Sequence, residues 1–259
     1  MSKILLYFFV PFFCVNCLKA QNNVDSLYSS ERSMLRYSKN TIDSAANIRI
    51  VNFIAPAVFI SYGILALNNG TLRQLNSSTS AEIQEDHPFF KTHIDNYSQF
   101  LPAATVFILQ LSGIKGRNTT LRQAAVYATS IAISTAFVTP LKRWTHELRP
   151  DGSDYQSFPS GHTATAFASA EFLRIEYGRT SLWISVSGYA VAVATAAYRM
   201  YNNKHWFGDV VAGAGFGILS TDLAYWLNDN IFWRKKNASL GIFPVYQDNI
   251  FGIGLVKNF

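Results

Sequence analysis

The stretch Phe158-Pro159-Ser160-Gly161-His162, running straight into the apolar-rich segment Ala164 to Leu173, decides how the rest of the chain is read. Proline and serine ahead of an apolar run mark a helix N-terminus. Such a terminus offers backbone N–H groups without intrahelical acceptors and the positive end of the helix dipole, which together suit an anion. Gly161 lacks a side chain, so its amide can approach phosphate oxygens. Ser160 can add a hydroxyl donor, and His162 stands where a leaving group would need a proton. Taken alone, an ordinary serine cap beside a surface histidine is the commoner arrangement.

Two further clusters flank this stretch. Upstream, Lys142, Arg143, Trp144, Thr145, His146, Glu147, Leu148, Arg149 and Pro150 close an apolar segment. Lys142 and Arg149 are seven residues apart, close to two helical turns, so they can converge on one anion. A solvated helix end or a pair of headgroup anchors would account for the same cations. Downstream, Arg199 ends one apolar run, and His205 lies four residues before Asp209, which opens the next. That spacing puts both side chains on one helical face, where a carboxylate bonded to one ring nitrogen leaves the other nucleophilic. A capping aspartate and a packed histidine are the plainer alternative.

Working outward, charge-free stretches at residues 50–72, 96–114, 123–141, 155–170, 180–198 and 210–221 predict an all-α, membrane-associated bundle of about six helices. Several approach the roughly 20 residues that cross a bilayer, although Pro56, Pro102 and many small polar residues soften them, and buried soluble helices are the alternative. If the third helix ends at one face, the fourth starts there, the fifth returns to it and the sixth leaves it. All three clusters then share that face.

Composition agrees with a well-buried chain. Of its 259 residues 49% are apolar and 15% charged, against roughly 25% charged in typical soluble domains. Disorder is excluded. The balance of 22 Lys and Arg against 16 Asp and Glu, net +6, suits a phosphorylated molecule or a lipid surface and is too modest and scattered for nucleic acid. Both cysteines, Cys14 and Cys17, fall within the first twenty residues, so the remainder holds no disulfide and no cysteine-ligated metal. Neither a carboxylate cluster suited to magnesium nor a zinc-like His/Cys spacing is present, so no metal and no cofactor is expected.

Residues 1–20 read as a secretory signal, with Lys3, the apolar run Ile4 to Val15 and Ala20 before Gln21. Residues 21–47 form a polar lead-in, residues 48–236 the helical domain with its motifs at 142–209, and residues 237–259 a tail. In that tail Leu240, Ile242, Val245 and Tyr246, then Ile250, Ile253 and Leu255, flank Gln247-Asp248-Asn249 as in a short β-hairpin. Residues 68–95, with Glu82, Glu85 and Asp86, read as a surface loop with a lid as one role. His87 and His93 belong to that loop, and His146 faces the pocket by spacing only.

The spaced residues resemble the type 2 phosphatidic acid phosphatase family, which shares a fold with class A bacterial acid phosphatases and vanadium haloperoxidases. The carriers are Lys142, six residues, Arg149-Pro150; then Pro159-Ser160-Gly161-His162; then Arg199, five residues, His205, three residues, Asp209. One fixed position departs, Tyr198 standing where the family has serine, and the resemblance spans residues 96–227. It implies that His205 is the nucleophile forming a phosphohistidine, that Asp209 orients it, and that His162 is general acid and then base. It further implies that Lys142, Arg149, Ser160, the Gly161 amide and Arg199 bind the phosphate, where charge stabilisation lowers the barrier most.

The implied activity is metal-independent hydrolysis of a lipid-linked phosphate or diphosphate, of the lipid A, undecaprenyl diphosphate or phosphatidate class. A soluble periplasmic non-specific acid phosphatase and a vanadate-dependent haloperoxidase are the enzymatic alternatives. A membrane scaffold that kept only a packing core is the other, against which the intact set of histidines and cations argues. Lys115, Arg117 and Arg122, with Arg234, Lys235 and Lys236, put those ends in the cytoplasm and the site in the periplasm of a multi-pass envelope protein. A cleaved signal would leave the mature N-terminus outside, which requires one apolar segment not to span.

Overall fold

The helices that carry the motifs run alternately up and down. In the computed structural model, which describes residues 50–232, 240–247 and 250–257, eight α-helices occur in the order α1 Ile50–Asn68, α2 Gly70–Asp86, α3 Asp95–Ser98, α4 Leu101–Leu111, α5 Thr120–Thr145, α6 Gly161–Tyr177, α7 Leu182–Tyr201 and α8 Phe207–Leu227. A π-helical turn, Asn228–Phe232, follows. The strands β1 Leu240–Gln247 and β2 Ile250–Lys257 pair antiparallel, with Leu240 opposite Lys257 and Gln247 opposite Ile250. The expected signal segment, the polar lead-in and the basic run Arg234 to Lys236 lie outside the described residues.

α8 is the hub, packed against α1, α5 and α6. Its glycines make that position available. A side-chain carbon at Gly217 would stand 2.2 Å from the Ala164 carbonyl oxygen, and one at Gly63 of α1 would stand 2.5 Å from Ala212 Cβ. Small residues that let helix backbones touch are the packing device of helices in lipid, where apolar burial alone drives little association. Phe172, Leu173 and Tyr177 of α6 fill one core with Val106, Val126, Ala224 and Tyr225. Nearer the motifs Val138, Phe158, Ala164, Ala212 and Phe216 form a second.

Two helical stretches, Thr120–Thr145 and Phe207–Ile231, are long and apolar enough to cross a membrane, and α1 with α2 would be a third if that pair, bent by 92°, made one span. Only 22% of the apolar window in α5 is buried inside the protein, so its outer face meets the surroundings.

Residues 70–86 are helical, which corrects the expectation of a loop. Asn69 starts α2 by accepting from the Thr71 and Leu72 amides at 3.1 and 3.2 Å. Asn76 Oδ1 then takes the Gly208 N–H at 3.0 Å. Glu82, Glu85 and Asp86 occupy the exposed side while Ile83 is buried. A polar helix held by long-range contacts has no strong apolar period to betray it. The fourth apolar stretch likewise becomes helical only at Gly161, residues 155–160 being non-helical, and α8 extends beyond 210–221 at both ends.

The 142–145 end of α5, the starts of α6 and α8 and the end of α7 meet at one end of the bundle. At the other end Asp229 pairs with Arg117 at 2.9 Å and with Arg122, and Glu176 accepts from the Asn118 amide at 2.9 Å and the Tyr225 hydroxyl at 2.6 Å.

Candidate active site

Asp209 organises the site from the first turn of α8. Its Oδ2 accepts the Trp206 backbone N–H at 2.9 Å and the Ser157 hydroxyl, which caps the helix. The same oxygen lies 3.5 Å from His205 Nδ1, an ion-pair distance outside hydrogen-bond geometry, with both side chains 2% exposed. His205 precedes the helix instead of sharing a helical face with Asp209, so the spacing of four works across the cap.

Ser160 is the N-cap of α6. Its hydroxyl meets Thr163 Oγ1 at 2.9 Å and the Thr163 amide at 3.4 Å, and its own N–H donates to the Asp209 carbonyl at 3.0 Å. Gly161 opens the helix beside Lys142: a side-chain carbon on Gly161 would sit 3.9 Å from Lys142 Cε. Lys142 Nζ donates to the carbonyls of Gln156 at 2.6 Å and Ser157 at 3.3 Å, which ties α5 to the loop carrying the partner of Asp209.

Arg149 pairs through Nε with Asp154 at 2.9 Å. Its loop is laced to the His205 loop, since the Asp151 N–H donates to the Asn203 carbonyl at 3.1 Å and the Trp206 indole N–H donates to the Leu148 carbonyl at 2.8 Å. Arg199, at the end of α7, donates from Nη1 to Asp95 Oδ2 at 2.7 Å, both side chains buried. His162 Nε2 lies 2.9 Å from Asn96 Oδ1.

The charges of Lys142, Arg149 and Arg199 act on both rings. Burial, then the charges of Lys142, Arg199 and Arg149 and then His162, hold His205 well below the usual histidine range. Burial and the Arg199 charge, opposed by Asp95 and reinforced by Lys142 and Arg149, push His162 down to about 4. Both rings are therefore neutral at pH 7 before an anion arrives, and the neutral imidazole is the nucleophilic form.

Three residues that line this arrangement escaped the sequence reading: Ser157, Asp95 and Asn96. Ser157 lies two residues before the Pro159 motif. Asp95 and Asn96 reach the site from 104 and 66 residues away, a separation no local spacing reveals. His146 stays out of the cluster; it ends α5 with φ 48° and stacks on Tyr155 at 5.6 Å. His87 lies against Tyr201 at 5.3 Å. Tyr198, the departure from the family pattern, stacks on Phe90 at 6.2 Å. Among the described residues no group of three or more His, Cys, Asp or Glu is placed to hold a metal ion.

A helix N-terminus, three cations, the buried His205 ring and the partly exposed His162 ring thus come together at one end of the described helices. Residues 123–233 match the model of the PAP2 superfamily. It is 44% identical over 144 residues to a lipid A 1-phosphatase of Porphyromonas gingivalis, a match taking in 55% of this chain and 32% of that relative. The chain thus spans about a third of the length of the curated relative it matches. Among solved structures it is similar to a transmembrane PAP2-type phosphatidylglycerolphosphate phosphatase of Bacillus subtilis, at TM-score 0.47 and 17% identity over 70% of this chain and 99% of that one. It is also similar to LpxE of Aquifex aeolicus, at TM-score 0.44 and 23% identity over 58% of this chain and 94% of that one.

Proposed function

We propose that the protein is a membrane phosphatase that hydrolyses a lipid-linked phosphate or diphosphate through a phosphohistidine, with lipid A first among the lipid A, undecaprenyl diphosphate and phosphatidate classes. The observation that carries this reading is the meeting of the His205 and Asp209 pair with the Gly161 helix start and the Lys142, Arg149 and Arg199 charges. The 44% identity to a protein named as a lipid A 1-phosphatase supports the lipid and its order of preference.

In the first step a lone pair of the His205 nitrogen remote from Asp209 attacks phosphorus, and the bond to the leaving oxygen breaks. His162 gives that oxygen its proton. A phosphate dianion in the pocket offsets the cations that hold His162 neutral, so substrate binding itself charges the acid. In the second step water attacks phosphorus, His162 takes its proton, and the bond to His205 breaks. Lys142, Arg149, Arg199 and the first amides of α6 oppose the charge on the phosphoryl oxygens throughout.

Arg122, in the first turn of α5, lies about 30 Å along the helix from Lys142, with Arg117 just ahead of the helix start. Basic ends favour the cytoplasm, which supports a site on the periplasmic side. The reading is tested by inorganic phosphate release from detergent-dispersed lipid A. His205→Ala and His162→Ala each reduce it on the order of 10³-fold or more, and near-normal turnover in either would overturn the roles of nucleophile and general acid.

A further inference from the structure

Thr195 and Arg199 of α7 and Asn202, which caps it, recur at spacings of four and three, so they share one face. Each holds a residue of the segment between α2 and α4. Asn202 brackets Thr92, its Oδ1 accepting the Thr92 N–H at 2.9 Å and its Nδ2 donating to the Thr92 carbonyl at 2.9 Å. Arg199 holds Asp95 at 2.7 Å, and the Thr195 and Ser98 hydroxyls meet at 2.7 Å. Residues 92, 95 and 98 thus follow α7 in reverse order, fastened once per turn. Asn96, next to the buried Asp95, turns to a different helix, its Oδ1 standing 2.9 Å from His162 Nε2.

We propose that Asn96 is a positioning residue for His162: its carboxamide oxygen keeps a proton on Nε2 and leaves Nδ1 as the nitrogen that gives and takes the proton in turnover. An amide oxygen accepts and cannot donate, so the contact selects the Nε2–H tautomer. In the charged ring Nδ1–H passes its proton to the leaving oxygen, and in the neutral ring Nδ1 takes one back from water, so the count closes over a cycle. The fastening of Thr92, Asp95 and Ser98 along α7 fixes the backbone that carries the exposed Asn96 side chain, which is what a supporting residue needs if the ring is to hold its aim.

The neutrality of the amide matters as much as its position. His162 is faced by Asp95 from α3, Lys142 from α5, Arg149 from the following loop, Arg199 from α7 and His205 before α8. A carboxylate in place of the amide would add a charge in contact with the ring and hold its proton about one to three pH units more firmly. An amide orients the ring without that bias.

The test reads His162 directly. The chain has five histidines, so its imidazole signals in detergent micelles are few, and the one lost in His162→Gln assigns that ring. Asn96→Asp, which is isosteric, is expected to raise the His162 midpoint by about one unit or more. Asn96→Ala is expected to lower the Nε2–H share of the neutral ring and to reduce kcat on the order of 10- to 100-fold, a part of what general acid catalysis supplies, with KM within about twofold. Retained signals from the other four histidines establish that each variant is folded. Unchanged midpoint and tautomer in both variants would overturn the role of Asn96. The kinetic consequence rests on the phosphatase reading: altered ring signals in a protein whose wild type releases no phosphate would uphold the contact and remove that reading instead.

Discussion

The Ser160 backbone N–H donates to the Asp209 carbonyl at 3.0 Å, which joins the first turn of α6 to the first turn of α8. In the proposed mechanism one helix start carries the anion cradle and the other the residue that orients His205. Fastened together, they would hold the attacking nitrogen and the phosphate site in one unit, and rate comes from such fixed placement.

Asp209→Ala removes at once the cap on Trp206 N–H, the acceptor for Ser157 and the partner of His205 Nδ1. The expected result is a kcat loss on the order of 10²- to 10⁴-fold, as for other groups that orient a catalytic histidine. A stability loss of about 1–2 kcal/mol accompanies it from the missing cap. Asp209→Asn retains an oxygen acceptor, so it should recover most of the stability and little of the rate. Equal recovery of both, in melting and turnover measured side by side, would show that Asp209 only caps.

Stability should fall in acid because of the two histidines. Both bind protons more weakly folded than unfolded, so below the ordinary value of 6.5 the unfolded chain holds more protons than the native one. Their contribution is full above pH 6.5 and declines as pH falls, for His162 until about 4. Thermal unfolding in detergent from pH 7.5 to 4 checks this against a His162→Gln variant, whose loss over that range should be smaller. A variant curve parallel to wild type would contradict the shift. Added orthovanadate should shrink the loss, because an anion among the cations favours the charged ring.

How legible was this in the sequence? The three clusters were readable because each stands at a helix end, where caps, cations and breaks in apolar pattern coincide. Alternation of the helices then put Lys142, Gly161, Arg199 and His205 at one end with no further information. Gly217 and Gly63 carry the close packing, yet nothing in their neighbours marks them out from other glycines in small-residue helices. Residues 70–86 were misread because their helix is fixed by Asn69 and by Asn76 on Gly208, the latter contact crossing 132 residues. The same blindness hid Asp95 and Asn96. Their chemistry depends on α7 and α6 arriving beside them, which no window of sequence contains.

Chelators should leave turnover unchanged while orthovanadate inhibits. In the proposed mechanism Lys142, Arg149, Arg199 and the α6 amides oppose the phosphoryl charge, an arrangement that would also hold a trigonal-bipyramidal phosphate mimic. Activity assayed after EDTA treatment and dialysis, with and without added magnesium, is the check. Turnover that vanishes with EDTA and returns with magnesium would refute the cation-and-amide account. Peroxide-dependent bromide oxidation in the vanadate-loaded protein would point to haloperoxidase chemistry.

The substrate should be presented by a membrane. The site lies at the end of α5 and α8, the two stretches long enough to span, and Trp144 beside Lys142 is 83% exposed there, a placement suited to the headgroup region. Leu101 and Leu111 of α4, Leu121 of α5 and Trp183 of α7 also turn outward, so large apolar side chains face the surroundings near both ends of the bundle. A lipid held by such flanks brings its phosphate to the cradle already concentrated and oriented, whereas a small ester has only the phosphate to bind with. Hydrolysis of detergent-dispersed lipid A should therefore exceed that of p-nitrophenyl phosphate in kcat/KM by on the order of 10²-fold or more, since about 2.7 kcal/mol of added binding is a factor of 100. Extraction should need detergent. A protein recovered without detergent in the soluble periplasmic fraction, with equal or higher kcat/KM on the small ester, would replace the lipid phosphatase with a soluble acid phosphatase.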